Sequence, residues 1–352
     1  MKLASKVLLT SLFCLAVAGC SGGSGSEGSA AGKGPVATGK SLTVGIVFDS
    51  GGLGDKSFND GANRGIEKAK ADFGIDTKPV ESKSNGDYEA NIETLAEQKC
   101  DLVIAVGGDM KDAVQSVAPK FPDVKFVTID ASLKGDNVRS LLFTEEQGSF
   151  LAGYLAGLVT KTNKIGFVGG EEIPLIKKFE VGYEAGAKTS NPRVEVLPAK
   201  YTGNWDDVDA GKQAATILFQ SGADIVYHAA GRAGLGVIGA AKDQNKFAIG
   251  VDSDQDDVAP GHVLTSVMKH VDNAVYQTIQ DLKDGKFTTG DKVYDLKAGG
   301  VGLSPMTYTK AMVGPATLKK LDAVKDQITS GKIVVPTDEQ GLKSYVASVN
   351  AP

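Results

Sequence analysis

The chain is poor in the residues that build metal centres, disulfide frameworks and redox sites. In 352 residues there are three Cys, three His and one Trp, and aromatic residues make up only 7%. That is too little for a disulfide scaffold or a Cys/His metal cluster. Positive charge is not in excess either: 38 Lys and Arg face 43 Asp and Glu, and a formal charge of −5 gives no reason to bind a polyanion. Nucleic acid is therefore not an expected partner. From residue 41 onward there is no G-x-S-x-G elbow, no H-E-x-x-H and no phosphate-loop lysine motif, so no enzyme, cofactor or metal is expected. Long apolar runs are missing as well. The apolar stretch at 7–18 is shorter than the roughly 20 residues that a membrane span needs.

What is present begins with an export signal. Lys2 and Lys6 flank the start of the apolar stretch, and Val17-Ala18-Gly19-Cys20 has the pattern of a bacterial lipobox, in which cleavage precedes a Cys that then carries lipid. Residues 1–19 read as a signal peptide and Cys20 as the lipidated residue. The segment 20–40, rich in Gly, Ser and Ala, reads as a flexible tether too poor in apolar side chains to fold. An ordinary signal peptide with a chance Cys is the plainer alternative. The expected location is the cell envelope, with the folded part anchored to a membrane and facing the periplasm or the exterior. Cys14 leaves with the signal, and Cys100 remains as a lone thiol expected to be a partly buried bystander.

From residue 41 on, short β-rich runs alternate with helical stretches. The runs 44–49 (VGIVFD), 101–108 (DLVIAVGG), 125–130 (KFVTID) and 138–144 predict one series of strands. The runs 164–170 (KIGFVGG), 194–201, 223–229 (ADIVYHA), 246–252 (KFAIGVD) and 263–268 predict a second. Continuous apolar runs separated by helices indicate parallel strands covered on both faces. Right-handed crossovers then give doubly wound sheets, with the ligand site beyond the carboxyl ends of the strands. The series restarts after an apolar helix expected over 147–160, so the fold class is α/β with two Rossmann-like lobes.

The residues at those carboxyl ends form an unusual set. They are Asp49, Gly107-Gly108-Asp109 and Asp130 in the first half, and Gly169-Gly170, Ala230-Gly231, Asp252 and Lys269 in the second. Carboxylates accept hydrogen bonds from sugar hydroxyls, and Gly lets a ligand approach the backbone. One Asp at a strand end is often only a helix cap, but acids at four such positions across both halves go beyond capping. Phe58 stands in a Gly-rich polar loop between Ser57 and Asn59, either tucked beneath it or offering a stacking face; Phe179, near a helix start, is a similar case. Gly234-Leu235-Gly236-Val237-Ile238-Gly239 fits G-x-G-x-x-G, with Asp252 at the end of the next strand. The long turn before Gly234 and the export signal argue against a dinucleotide. Close packing of a helix on its sheet is the better reading. His228, His262 and His270 are expected to be structural or ligand-lining.

Taken together, these motifs resemble the basic membrane protein family. The segments 44–60 (VGIVFDSGGLGDKSFND), 107–109, 179–186 (FEVGYEAG), 230–231, 249–255 (IGVDSDQ) and 265–269 (TSVMK) carry the resemblance, from about residue 42 to beyond 300. The family comprises bacterial lipoproteins similar to purine-nucleoside receptors of the PnrA type, the substrate-binding components of nucleoside ABC importers. The resemblance implies a type I periplasmic-binding-protein fold, two lobes with parallel sheets joined by a three-stranded hinge. The first lobe would take 41–145 plus about 270–290, the second 146–269 plus about 291–345. It also implies that Phe58 and Phe179 sandwich a purine, that Asp49, Ser57, Asn59, Asp109, Gly231, Asp252 and Lys269 make the polar contacts, and that Trp205 is a further wall. The expected partners are a purine nucleoside, an ABC permease and, through the lipid, a membrane; the protein is expected to be a monomer. Two other readings stay open: a sugar, autoinducer or other small-ligand binder of the same fold, and a surface adhesin or antigen.

Overall fold

The computed structural model describes residues 41–349; the expected signal peptide (1–19), the lipidated Cys20 and the tether (20–40) lie outside the described residues. A first series of strands comprises β1 (Thr43–Phe48), β2 (Asp76–Glu81), β3 (Leu102–Val106), β4 (Lys125–Ile129) and β5 (Val138–Phe143). Between them run α1 (Phe58–Phe73), α2 (Tyr88–Glu97) and α3 (Lys111–Val117). After α4 (Glu145–Val159) the pattern restarts with β6 (Lys164–Gly169), α5 (Pro174–Ser190), β7 (Glu195–Val196), β8 (Lys200–Tyr201) and α6 (Val208–Gln220). It continues through β9 (Ile225–Ala229), α7 (Gly234–Asp243), β10 (Phe247–Asp252) and β11 (Val263–Lys269). The chain ends with α8 (Val271–Lys283), β12 (Gly290–Tyr294), β13 (Val301–Leu303), α9 (Lys310–Val313), α10 (Pro315–Thr329) and α11 (Glu339–Val349).

Two sheets result, ordered β12-β5-β4-β3-β1-β2 and β13-β11-β10-β9-β6-β7, with β8 also paired to β6. Every pairing is parallel except that of β13 with β11. Each sheet is covered on both faces, because successive side chains of a strand point to opposite sides. Val44, Ile46 and Phe48 of β1 enter one core with Ile104 and Ile129, while Val47 enters another with Val103 and Phe126. The second sheet divides in the same way, with Ile165 and Phe167 on one side and Val168 and Val226 on the other. The chain passes between the sheets three times, at Thr144, at His270 and over 295–300. This is the expected α/β class with two Rossmann-like lobes.

Details differ from the sequence reading where backbone pairing is weak. The strand expected over 194–201 is two short pieces around Pro198, which has no N–H for the ladder. β12 carries the first sheet to Tyr294, past the division expected at about 290. The helices α4 and α5 touch through glycines: a Cβ at Gly153 would lie 1.8 Å from the Tyr183 carbonyl oxygen, and one at Gly186 would lie 1.9 Å from that of Phe150. Gly153→Ala is therefore expected to cost about 2–3 kcal/mol by forcing the helices apart. Gly239→Ala, in α7 with open space around it, is expected to be neutral or to stabilise by about 0.5–1 kcal/mol. Urea unfolding of both variants checks this; equal effects would show that the α4–α5 contact can yield.

Candidate functional site

In each sheet the strand order reverses beside the first strand of its series, and the loops that leave the carboxyl ends there face each other. They line one shared cavity between the lobes, the kind of place where small-molecule sites form. One wall is organised by three carboxylates, Asp49 and Asp55 in the loop between β1 and α1 and Asp60 in the first turn of α1. Asp49 accepts from Gly51 N at 2.8 Å and Asn59 Nδ2 at 2.7 Å. Asp55 accepts from the backbone N–H groups of Ser57 (2.8 Å), Asn59 (2.8 Å) and Asp60 (3.1 Å), and so takes the capping role at the start of α1. Asp60 binds Gly54 N and Lys56 N at 2.8 and 3.0 Å. The Ser57 hydroxyl is thereby free for another partner, and Phe58 is set as the first residue of α1 with its ring on the cavity.

Nine of the ten expected ligand-binding residues line this cavity: Asp49, Phe58, Asn59 and Asp109 from the first lobe, and Phe179, Trp205, Gly231, Asp252 and Lys269 from the second. Ser57 does not. Its hydroxyl donates to Asp252 Oδ2 across the cleft at 2.6 Å, so it orients a lining residue from behind. The Trp205 indole packs on Gly170, where a Cβ would lie 2.3 Å from the ring, and Trp205 Nε1 donates to Asp109 Oδ2 at 3.1 Å. The sequence reading did not place Asp130 or the apolar wall of Ile173, Leu175 and Ile176 in the site. Asp130 was visible as a strand-end acid; the apolar wall precedes a helix and carries no polar signal.

Lys269 is the electrostatic centre. Its side chain is 2% exposed, with Nζ 2.6 Å from Asp130 Oδ2 and 3.2 Å from Glu145 Oε1. The same nitrogen lies 5.1 Å from the Phe58 ring centroid and 5.6 Å from that of Phe179, close enough for cation–π attraction. Burial pulls the lysine pKa down, but Asp130, Glu145 and Asp252 more than reverse this and hold it above the ordinary value. Burial pushes Asp252 up to about 6 despite the pull of Lys269, and pushes Asp49 up to about 7 despite its bonds to Asn59 and Gly51. His228 is fully buried and bonded through Nε2 to Gln255 Oε1 at 3.0 Å; burial pushes it down to about 4, and it takes no part in the lining. Gly234 packs on this imidazole and Gly236 on the Val208 carbonyl oxygen, so the glycine motif serves close packing. Among the described residues no group of three or more His, Cys, Asp or Glu is placed to hold a metal ion. No helix among them is long and apolar enough to cross a membrane.

A cavity between two similarly wound lobes, with aromatic and carboxylate walls, defines a small-molecule binding protein of the type I periplasmic-binding class. Comparison with known proteins narrows this. Residues 42–339 match the family described as Bmp, ABC transporter substrate-binding protein PnrA-like, and the chain belongs to that family. Its role is binding, not catalysis. It is 37% identical over 320 residues to the CD4+ T-cell-stimulating antigen of Listeria monocytogenes, covering 84% of this chain and 88% of that one. It is 34% identical to the ABC transporter nucleoside-binding protein BmpA of Lactococcus lactis, covering 94% and 99%. The crystal structure of an ABC transporter system solute-binding protein from Aeropyrum pernix K1 superposes with a TM-score of 0.80 at 29% identity, covering 88% of this chain and 98% of that one.

The raised carboxylates give the ligand-free protein a pH signature. Asp49 binds a proton more tightly folded than unfolded, so the stability it contributes is present below its ordinary value of 3.8 and is lost as pH rises through about 7. His228 has the opposite sense, losing stability as pH falls from 6.5 toward about 4. Comparing Asp49→Asn with the parent isolates the first effect. The variant is expected to gain relative stability with rising pH, the difference levelling off above about 7; parallel stability curves from pH-dependent melting would show that Asp49 is not held protonated.

Proposed function

We propose that this protein is a lipid-anchored, extracytoplasmic receptor for purine nucleosides such as inosine, adenosine and guanosine, which it delivers to an ABC permease. The observation that carries the reading is the placement of Phe58 and Phe179, from opposite lobes, on one cavity and within 6 Å of one lysine nitrogen. Two rings facing a shared space suit a flat heterocycle, and stacking contributes roughly 1–3 kcal/mol per ring by analogy with base stacking. Asp49, Asp109 and Asp252 supply acceptors suited to ribose hydroxyls, so that a free base would leave buried acceptors unpaired. The same acids disfavour a phosphate and so favour nucleosides over nucleotides. The name of the Lactococcus relative, a nucleoside-binding protein, points the same way. Anchoring through Cys20 rests on the lipobox pattern alone.

Calorimetry on the chain from Ser41, which forms a compact unit of its own, tests this after refolding to strip carried ligand. Tight binding of purine nucleosides is expected, with adenine, ribose and AMP much weaker. Phe58→Ala is expected to weaken binding roughly 10- to 100-fold, and Asp252→Ala by a similar factor. Silence toward every nucleoside with a response to ribose would overturn the ligand assignment.

A further inference from the structure

We propose that Glu145, which lies outside the cavity, makes the site reject anionic ligands by over-neutralising Lys269; the inference rests on the nucleoside reading of that site. Glu145 is the first residue of α4, directly after the crossing at Thr144, and its side chain is 1% exposed. Lys269 ends β11, directly before the crossing at His270. The two side chains thus meet where two of the three connections leave the sheets, 3.2 Å apart. Asp130 approaches the same ammonium from the first lobe at 2.6 Å.

One ammonium with one carboxylate is neutral as a pair and could still accept an anion by sharing its N–H groups. With both acids ionised, Lys269, Asp130 and Glu145 sum to a net negative charge; the half-exposed Lys178, 3.7 Å from Glu145, offsets it in part, and Asp252 adds to it from the cavity wall. Screening by water is weak in such a buried place, so one unit of charge matters at the distance of a base held between Phe58 and Phe179. A neutral ligand still finds N–H groups to accept from, because an ammonium has three. Glu145 Oε2 has no hydrogen-bond partner and pairs with Lys178 Nζ at 3.7 Å, on a half-exposed side chain; burial raises the Glu145 pKa, and Lys269 and Lys178 oppose that rise. Its closer and fully buried cationic partner is Lys269, at 3.2 Å. Glu145 acts through Lys269 and is a positioning and charge-setting residue.

Guanosine and xanthosine test this, because they differ little in size and the xanthosine base is an anion above neutral pH. Competitive calorimetry on the chain from Ser41 measures the ratio of their affinities. Glu145→Gln keeps the shape and removes the charge; the ratio is expected to move toward xanthosine by about tenfold or more. Glu145→Asp, which keeps the charge, and Glu146→Gln, which removes an adjacent buried charge that makes no ion pair with Lys269, are expected to stay near the parent ratio. If Glu145→Gln does not fold, Glu145→Met removes the same charge with an apolar side chain of similar length, a replacement that buried ion pairs often tolerate. A ratio within about twofold of the parent in the uncharged variant, or an equal shift in Glu146→Gln, overturns the inference alone. Parent protein that binds neither guanosine nor inosine overturns the nucleoside reading, and this inference with it.

Discussion

Burying the Lys269 ammonium is the constraint around which the ligand site is arranged. An isolated charge in such a place would be very costly, so it must be met by acids, and these come from three different parts of the chain: Asp130 after β4, Glu145 at the start of α4 and Asp252 at the end of β10. The lysine itself stands at the end of β11, one residue before a crossing between lobes. Cavity charge, hinge and lobe contact are thus tied to one nitrogen. The rings of Phe58, Phe143 and Phe179 each lie within 6 Å of it, which shields the cluster from water while keeping one side open to the cavity.

The two principal acids at the cleft share a backbone conformation as well as a role. Asp130 has φ +69 and Asp252 φ +62, left-handed values that cost a residue with a side chain about 1–3 kcal/mol unless the surroundings enforce them. One follows β4 and the other ends β10, strands that hold the same place in their sheets, third from the edge formed by β12 in one and β13 in the other. The same turn at corresponding places in both lobes aims one carboxylate from each side toward Lys269. Asp is among the residues that tolerate this region best, which accounts for an acid at both positions without appeal to capping.

Much of this was legible in the sequence because buried parallel strands write themselves as continuous apolar runs. VGIVFD and KFAIGVD gave both the strands and the acids that end them, and the rule for open parallel sheets then gave the cleft. Elements with half-exposed backbones were harder to read. β2 contains Pro79 and alternates weakly, and β12 is the polar run Gly290–Tyr294, so neither resembles a core strand. Trp205 was expected as a wall, but its bond to Asp109 spans 96 positions and leaves no local trace. Glu145 was hidden for a different reason. An acid in the first turn of a helix is what the helix dipole favours anywhere, so its contact with Lys269 became visible only when the two crossings were brought together.

Closure is held by polar contacts, and this bears on how the protein releases what it binds. Across the cleft, Ser57 Oγ donates to Asp252, Ser253 Oγ to Ser57 O at 2.8 Å, Gln255 Nε2 to Lys56 O at 3.2 Å, and Arg232 Nη2 to Leu53 O at 2.6 Å. The bonds between neutral groups contribute about 0.5–1.5 kcal/mol net each and those made by Asp252 and Arg232 about 1.5–3, because water replaces them when the lobes part. A ligand that touches both walls adds binding energy only to the closed form and shifts the balance by that amount. The His228–Gln255 pair extends this linkage inward. Gln255 Oε1 is fixed by the buried imidazole and by Val251 N at 3.0 Å, so its amide nitrogen is presented to the opposing loop in a set direction. The second lobe therefore meets the first with pre-oriented donors, which lowers the entropy lost on closing.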